Sequence, residues 1–209
     1  MKLSEPLVLH VGCGGSALPE NMAHCKEVSL DIDPASNPDI LADMSDLPSG
    51  IGPFDVVYSC HSLEHLSPHK VGPCLEGFLK VLKPGGVVLI FVPDLEGLQP
   101  TDDVLYEVEG GPIRAKDLFY GWGKYLESRP YMAHKNGFVS STLQAALVSA
   151  GFAKSSATRL GGYNLLGFGV RPNDHNDNRE AGHNSYECST TEESSVLCSD
   201  DNETVPADH

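Results

Sequence analysis

The chain has 209 residues, 40% of them hydrophobic, which is enough for one domain with a sizeable core. Its 29 acidic residues outnumber 14 basic ones and leave a formal net charge of -15. Nucleic acids and anionic membranes are bound by clustered lysine and arginine, so this balance argues against both partners. The N-terminal apolar run is too short for a secretory signal, and no stretch approaches the roughly 20 apolar residues of a membrane span. The six cysteines form no C-x-x-C pair, and we expect a soluble, cytoplasmic protein.

Short apolar runs rich in β-branched residues and bounded by turn formers predict buried strands. Four of these runs are clear and the last is weaker: Leu7–Val11, Val28–Ile32, Phe54–Ser59, Val87–Val92 and Asp39–Ala42. Helical spacing falls between them, in Ala17–Cys25, His69–Leu82 and Thr142–Ala150. This alternation predicts an α/β fold, a mostly parallel twisted sheet with helices on both faces. A closing strand is expected within Thr158–Val170.

Two segments depart from the alternation. Residues 94–137 are long for a connection and hold the only Trp and four of the seven Tyr, which favours a lid within a domain of residues 1–171. Residues 172–209 are acidic and poor in apolar side chains, so we expect a disordered tail that is dispensable for folding. A basic protein partner for this tail is an open alternative.

A glycine-rich turn, Gly12-Cys13-Gly14-Gly15-Ser16, follows the first predicted strand directly. Glycines in this position let the backbone turn sharply and approach a ligand closely. The carboxylates of Asp31 and Asp33 lie at the right distance downstream to bond ribose hydroxyls. The motif indicates a nucleoside-containing cofactor but does not separate NAD from S-adenosylmethionine, and a purely structural turn is the other interpretation.

Five motifs follow one another in a characteristic order: GCGG, LDIDP, ADMSDLP, FDVVYSCHSLEHL and LKPGG. Together they resemble the class I S-adenosylmethionine-dependent methyltransferases, and most of all the type 11 branch. The resemblance is strong over residues 5–94 and weaker over 138–170. It implies a Rossmann-like methyltransferase fold, S-adenosylmethionine as cofactor, and methyl transfer to an unidentified acceptor, in the first place a small molecule. The alternatives are a methyltransferase-like binding or regulatory module without catalysis, and an NAD-linked oxidoreductase.

The resemblance also implies roles for individual residues. The loop would border the methionine part of the cofactor, Asp31 would accept the ribose hydroxyls, and the end of the fourth strand would face the transferred methyl group. The cofactor-binding residues are then Gly12, Cys13, Gly14, Asp31, Ile32, Asp43, Met44, Ser59 and His61. Two positions depart from the family pattern: His10 stands where an acid is usual, and Ser16 replaces the third loop glycine.

The insertion offers candidates for the acceptor side of the site. Tyr106 and Tyr120 are expected in the acceptor pocket, and His134 is the candidate base because imidazole titrates near neutral pH. The alternative is a structural role, in which these aromatic side chains only pack the lid onto the sheet. The segment from His61 to His65 also matches the zinc-peptidase pattern H-x-x-E-H, but Pro68 interrupts a helix there, so we expect no metal.

Overall fold

The computed structural model describes residues 5–174, and its elements follow the predicted alternation closely. In chain order they are β1 (Leu7–Val11), β2 (Lys26–Asp31), β3 (Ile40–Leu41), β4 (Phe54–Cys60), α1 (Pro68–Val81), β5 (Leu82–Pro93), β6 (Val104–Val108), β7 (Gly111–Arg114), α2 (Ala115–Tyr120), α3 (Gly123–Leu126), α4 (Ser140–Ser149), β8 (Ala153–Leu160) and β9 (Asn164–Val170). All five strands predicted in the first half of the chain are present.

Seven strands form one sheet in the order β3-β2-β1-β4-β5-β9-β8. The first five strands of this order run parallel, with Leu9 paired to Val28 on one side and to Val57 on the other. Strand β9 is antiparallel to both β5 and β8. Because β1 to β5 run parallel, their carboxyl ends share one edge of the sheet, where open α/β folds bind ligands. The mostly parallel, Rossmann-like fold is therefore confirmed.

One face of the sheet is covered by α1 and α4. Helix α1 begins at Pro68, whose missing N–H costs nothing in a first helical turn. Its apolar side chains recur at helical spacing, so Val71 and Phe78 are buried in the core together with Leu143 and Leu147 of α4. Burial of such side chains stabilises the fold by about 1.5–3 kcal/mol each.

The opposite face carries a smaller cluster built on Val8, Tyr58 and Phe91. Residues 18–25 pack against it, but they form only a 3-10 turn, Glu20–Met22, so the helix predicted over Ala17–Cys25 is wrong. Pro19 explains the difference, because it disfavours helix in the residue before it and leaves too few residues before β2. Both long helices therefore lie on one face, whereas the sequence favoured helices on both.

The insertion after β5 is more ordered than a loop. It contains the β6–β7 hairpin and the short helices α2 and α3, which the sequence pattern did not predict. The hairpin turn holds Gly110, where an added Cβ would lie 2.5 Å from the ring of Trp122. The single Trp thus packs on the turn, and the segment returns to the sheet where Phe138 bridges to Asp94.

The chain closes the sheet with the β8–β9 hairpin, so Thr158–Val170 contains a turn between two strands and not one strand alone. Arg171 continues the pairing, since its N–H donates to the carbonyl of Gly86 at 2.8 Å. Within residues 5–174 there is no helix long and apolar enough to cross a membrane. The predicted disordered tail lies outside the described residues from 175 onward.

Candidate functional site

The glycine loop after β1 is held against the start of the turn that follows β4. Gly12, Gly14 and Gly15 have φ values of +66°, +57° and +85°, a left-handed conformation that glycine adopts at little cost. A Cβ added to Gly12 would lie 2.4 Å from the Cβ of Ser62, which no pair of atoms tolerates. The loop must therefore have glycine at position 12 for both reasons. The thiol of Cys13 is buried, and burial raises its pKa.

Asp31 ends β2 and ties the loop to the sheet. Its Oδ2 accepts from the N–H of Gly14 at 2.7 Å, and its Oδ1 accepts from the N–H of Asp33 at 2.8 Å. Each carboxylate oxygen can accept a second hydrogen bond, so the group keeps acceptor capacity for hydroxyls that enter this edge. Ile32 follows directly and is 55% exposed. A carboxylate with free acceptor capacity thus lies beside an exposed apolar side chain at this edge.

The end of β4 brings Ser59 and His61 to the other side of the loop. The hydroxyl of Ser59 is fully buried and forms a hydrogen bond of 2.6 Å with that of Ser62, the residue that packs against Gly12 of the loop. His61 has a φ of +49°, which is uncommon outside glycine and concentrates at functional sites. Its N–H donates to the carbonyl of Phe91 at 2.9 Å, which fixes its backbone at the carboxyl edge.

Asp43 and Met44 lie beyond β3 and are both partly buried. The carboxylate of Asp43 accepts from the N–H and hydroxyl of Ser45, at 2.8 and 2.7 Å, and from the ammonium of Lys70 at 3.1 Å. Burial raises the pKa of Asp43, but these hydrogen bonds outweigh it and lower the pKa overall. Met44 packs against the main core.

Residues 131–138, which we call the strap, span the carboxyl edge of the sheet. At one end, the hydroxyl of Tyr131 donates to Asp33 Oδ2 at 2.5 Å, next to β2. In the middle, the N–H groups of Lys135 and Asn136 donate to the carbonyl of Glu64, at 2.9 and 3.1 Å, after β4. The other end is the Phe138–Asp94 bridge at β5. The strap thus runs from β2 to β5 across the edge that carries the glycine loop.

The three residues predicted for the acceptor side occupy different places. His134 lies on the strap, with its ring centroid 5.0 Å from that of His65 and its Nδ1 2.9 Å from the carbonyl of Leu118. Tyr106 lies on the β6–β7 hairpin, where its ring stacks on Tyr163. Tyr120 ends α2 and is 58% exposed. The structure brings His134 close to His61 and Glu64 and places both tyrosines on the insertion that leads to the strap.

The side chain of His10 on β1 contacts a carboxylate of the neighbouring strand. Its Nδ1 lies 2.6 Å from Glu27 Oε1 on the neighbouring strand β2. Burial lowers the pKa of His10, and the adjacent Glu27 opposes that shift. The histidine at position 10, one of the two departures from the family pattern, thus contacts a carboxylate of the neighbouring strand.

Sequence reasoning missed two features of this edge. It named Glu64 only as part of a zinc-like pattern, although its carboxylate is 1% exposed and faces three histidines. It also gave no reason to pair Tyr131 with Asp33, which are 98 residues apart. A hydrogen bond over such a separation depends on the path of the insertion, which has no local signal in the sequence.

The strand order, the glycine loop after β1 and the acidic residue after β2 together define the fold class of the S-adenosylmethionine-dependent methyltransferases. Residues 9–90 match the family model described as a methyltransferase domain. The match covers the glycine loop, Asp31 and the turn after β4, and together with the strand order it indicates a Rossmann-like methyltransferase fold.

A curated relative is similar over part of its length. The ubiquinone biosynthesis O-methyltransferase of Caulobacter vibrioides is 33% identical over an alignment of 106 residues, which covers 40% of this chain and 39% of the relative. The matched region is thus about two-fifths of that enzyme.

Solved structures share the fold at lower identity. An amino pentose methyltransferase from Micromonospora echinaspora, solved with S-adenosylmethionine bound, has a TM-score of 0.54 at 17% identity, covering 81% of this chain and 85% of that one. The 1,6-didemethyltoxoflavin-N1-methyltransferase of Burkholderia thailandensis has a TM-score of 0.52 at 16% identity, covering 81% and 72%. At these identities the likeness concerns the fold alone.

Proposed function

We propose that the chain transfers a methyl group from S-adenosylmethionine to a small-molecule acceptor. One observation carries the proposal: the glycine loop, Asp31 and His61 meet at a single edge of the sheet, and the strap spans that edge. The partial match to a ubiquinone biosynthesis O-methyltransferase supports the same activity. The amino pentose and toxoflavin methyltransferases that share the fold support a small acceptor.

The residues present fit the cofactor. Asp31 would accept the ribose hydroxyls with the lone pairs that Gly14 and Asp33 leave open, because a carboxylate accepts about four hydrogen bonds. The exposed side chain of Ile32 would pack on the adenine and lose its contact with water. Gly12 has no Cβ, so a ligand can approach the loop backbone closely, and its φ of +66° is one that glycine adopts at little cost.

When bound, S-adenosylmethionine supplies a methyl group that is already activated by a positively charged sulfur. The protein then has to align the acceptor, exclude water and remove a proton where the acceptor carries one. The strap would exclude water, because its contacts with Asp33 and Glu64 hold it across the edge. His134 would take the proton on Nε2, since its Nδ1 is engaged by the carbonyl of Leu118.

The acceptor pocket would lie between the sheet edge and the insertion, with Tyr106 and Tyr120 on the insertion side. A net charge of -15 disfavours a nucleic-acid acceptor, because phosphates would be repelled. A protein partner for the acidic tail and a cytoplasmic location stay predictions from the sequence.

Calorimetric titration of the full chain with S-adenosylmethionine, S-adenosylhomocysteine and NAD tests the cofactor assignment. We expect saturable binding of the first two, and a loss of about 10- to 100-fold in affinity for Asp31→Ala, because hydrogen bonds to a charged group contribute roughly 1.5–3 kcal/mol. Asp55→Ala is the matched control. That carboxylate also accepts a backbone N–H, from Leu7 at 2.8 Å, but at the amino end of the parallel strands.

The control should leave affinity unchanged. Equal affinities of the wild type and Asp31→Ala would refute the ribose assignment. Binding of NAD in place of S-adenosylmethionine would refute the proposed reaction.

A further inference from the structure

Glu64 has a buried carboxylate that faces histidine side chains. It lies in the 3-10 turn Leu63–His65 that follows β4, and its side chain is 1% exposed. Among residues 5–174 neither Oε1 nor Oε2 has a hydrogen-bond partner at ordinary distance and angle, and His61 Nδ1 approaches Oε1 only to 3.5 Å. The void it borders is otherwise lined mostly by apolar side chains, among them Leu95, Leu118 and Phe138. A buried charge in such surroundings is costly unless opposite charges face it, so the groups around it decide its role.

Three imidazoles face this carboxylate, and they come from two separate segments. His61 Nδ1 lies 3.5 Å from Glu64 Oε1, and His65 belongs to the same turn. His134 comes from the strap, and its ligand atom lies within 4.8 Å of those of Glu64 and His65. These three histidines are the titratable groups that act on Glu64, and the exposed residue Lys135 contributes only its backbone N–H, which donates to the carbonyl of Glu64.

Hydrogen bonds to backbone carbonyls fix the rings. His65 Nε2 lies 3.2 Å from the carbonyl of His61, and its Nδ1 lies 3.3 Å from that of Ala133. A carbonyl only accepts, so both ring nitrogens of His65 are directed at acceptors. His134 Nδ1 faces the carbonyl of Leu118 in the same way, at 2.9 Å. His65 thus joins the turn to the strap, and His134 has its second nitrogen for other partners.

The electrostatic consequence is a mutual one. Burial raises the pKa of Glu64, but the adjacent histidines outweigh it and lower the pKa overall. Burial lowers the pKa of His134, and the charge of Glu64 acts in the opposite direction. The carboxylate therefore favours the protonated form of an imidazole that burial alone would keep neutral.

We propose that Glu64 is a positioning residue that makes the histidine cluster a proton acceptor at the carboxyl edge. The proposal rests on the proposed methyl transfer. As the methyl carbon bonds to the acceptor atom, the S–C electron pair stays on sulfur. The acceptor's proton passes to His134 Nε2, and the negative charge of Glu64 stabilises the imidazolium that forms. Glu64 and His134 titrate as one coupled pair.

The arrangement also has the composition of a divalent-metal site, since two histidines and a carboxylate are common ligands. His65 argues against it, because both of its nitrogens already face carbonyl oxygens. A metal ion bound by these residues would overturn the proposal.

The test is an NMR titration of the histidine rings in the full chain without cofactor or acceptor. We expect Glu64→Gln to lower the apparent pKa of His134 by about one unit or more, because the imidazolium loses its opposite charge. Glu64→Asp should restore most of the shift. Glu76→Gln, on the exposed side of α1, is the matched control and should change nothing. An unchanged His134 titration in a folded Glu64→Gln variant would overturn the proposal.

A second measurement uses the wild type, in case Glu64→Gln does not fold. With glutamate labelled at the carboxyl carbon, the Glu64 signal should shift in step with the titration of His134. An independent Glu64 signal, or stoichiometric zinc whose removal by EDTA changes the His134 titration, would refute the coupling of Glu64 to His134. Neither readout needs methyl transfer, so failure here is distinct from a failure to bind S-adenosylmethionine in calorimetry.

Discussion

Gly12→Ala perturbs the point where the glycine loop touches the turn after β4. The added methyl would lie 2.4 Å from the Cβ and 2.8 Å from the Oγ of Ser62, while the next atom, the Cα of Ser62, is 3.8 Å away. The backbone would also hold alanine at a φ of +66°. We expect both the fold and cofactor binding to suffer, because the loop has to move to relieve the contact.

The two costs can be separated by magnitude. Left-handed backbone costs a non-glycine residue roughly 1–2 kcal/mol, and overpacking of a buried contact typically costs about 1–3 kcal/mol. Gly12→Ala should therefore destabilise the protein by about 2–5 kcal/mol. Gly50→Ala is the control for the backbone cost alone, since Gly50 has a φ of +82° and no atom within 4 Å of its added Cβ.

A double-mutant cycle isolates the steric contact. Ser62→Gly removes both atoms that the new methyl would strike, so Gly12→Ala in that background should retain only the backbone cost. Urea unfolding of the four chains should give a coupling free energy of about 1–3 kcal/mol in favour of the double variant. Additive free energies would show that the close approach of Gly12 and Ser62 is not what requires glycine there.

Three further predictions concern the strap and the charges. Tyr131→Phe removes the hydrogen bond to Asp33, so hydrogen exchange in the strap, residues 131–138, should accelerate, whereas Tyr125→Phe should have no such effect. For any acceptor that the wild type methylates, His134→Ala should lower the rate of methyl transfer from radiolabelled S-adenosylmethionine by about 100-fold or more. The calorimetric affinity for S-adenosylmethionine should stay within twofold of the wild type. A loss of this affinity as large as the loss of rate would contradict the assignment of His134 as the base. Burial lowers the pKa of His10 and His134 below the ordinary value of 6.5, so on acidification the unfolded chain binds protons before the folded chain does. The free energy of unfolding should therefore fall as the pH drops below 6.5 toward the pKa values of the folded state. A urea-unfolding free energy that stays constant between pH 7.5 and 5 would refute this.

The parallel core could be predicted from the sequence because each strand carries its own signal. Val87 to Val92 is a continuous apolar run, rich in β-branched residues, that follows KPGG, and in the structure it lies inside β5. The glycine loop is similarly local, because φ values such as that of Gly12 require glycine in the sequence itself. The positions of Asp31 and His61 follow from their place at the ends of parallel strands.

The rest depends on contacts between distant residues. Pro19 prevents a helix over Ala17–Cys25, and the helical spacing of the apolar residues does not take this proline into account. Strand β8 is interrupted by polar residues and depends on its pairing with β9. The path of the strap depends on Tyr131 reaching Asp33 and on the carbonyl of Glu64, so its role as a cover had to be seen in the structure.

The most direct measurement of the central claim is a crystal structure of the full chain with S-adenosylhomocysteine. The account predicts the ribose hydroxyls on Asp31, the adenine against Ile32, and the thioether sulfur between the Gly12 loop and His61, beneath the strap. A ligand bound elsewhere, or an empty carboxyl edge at saturating ligand concentration, would contradict the account.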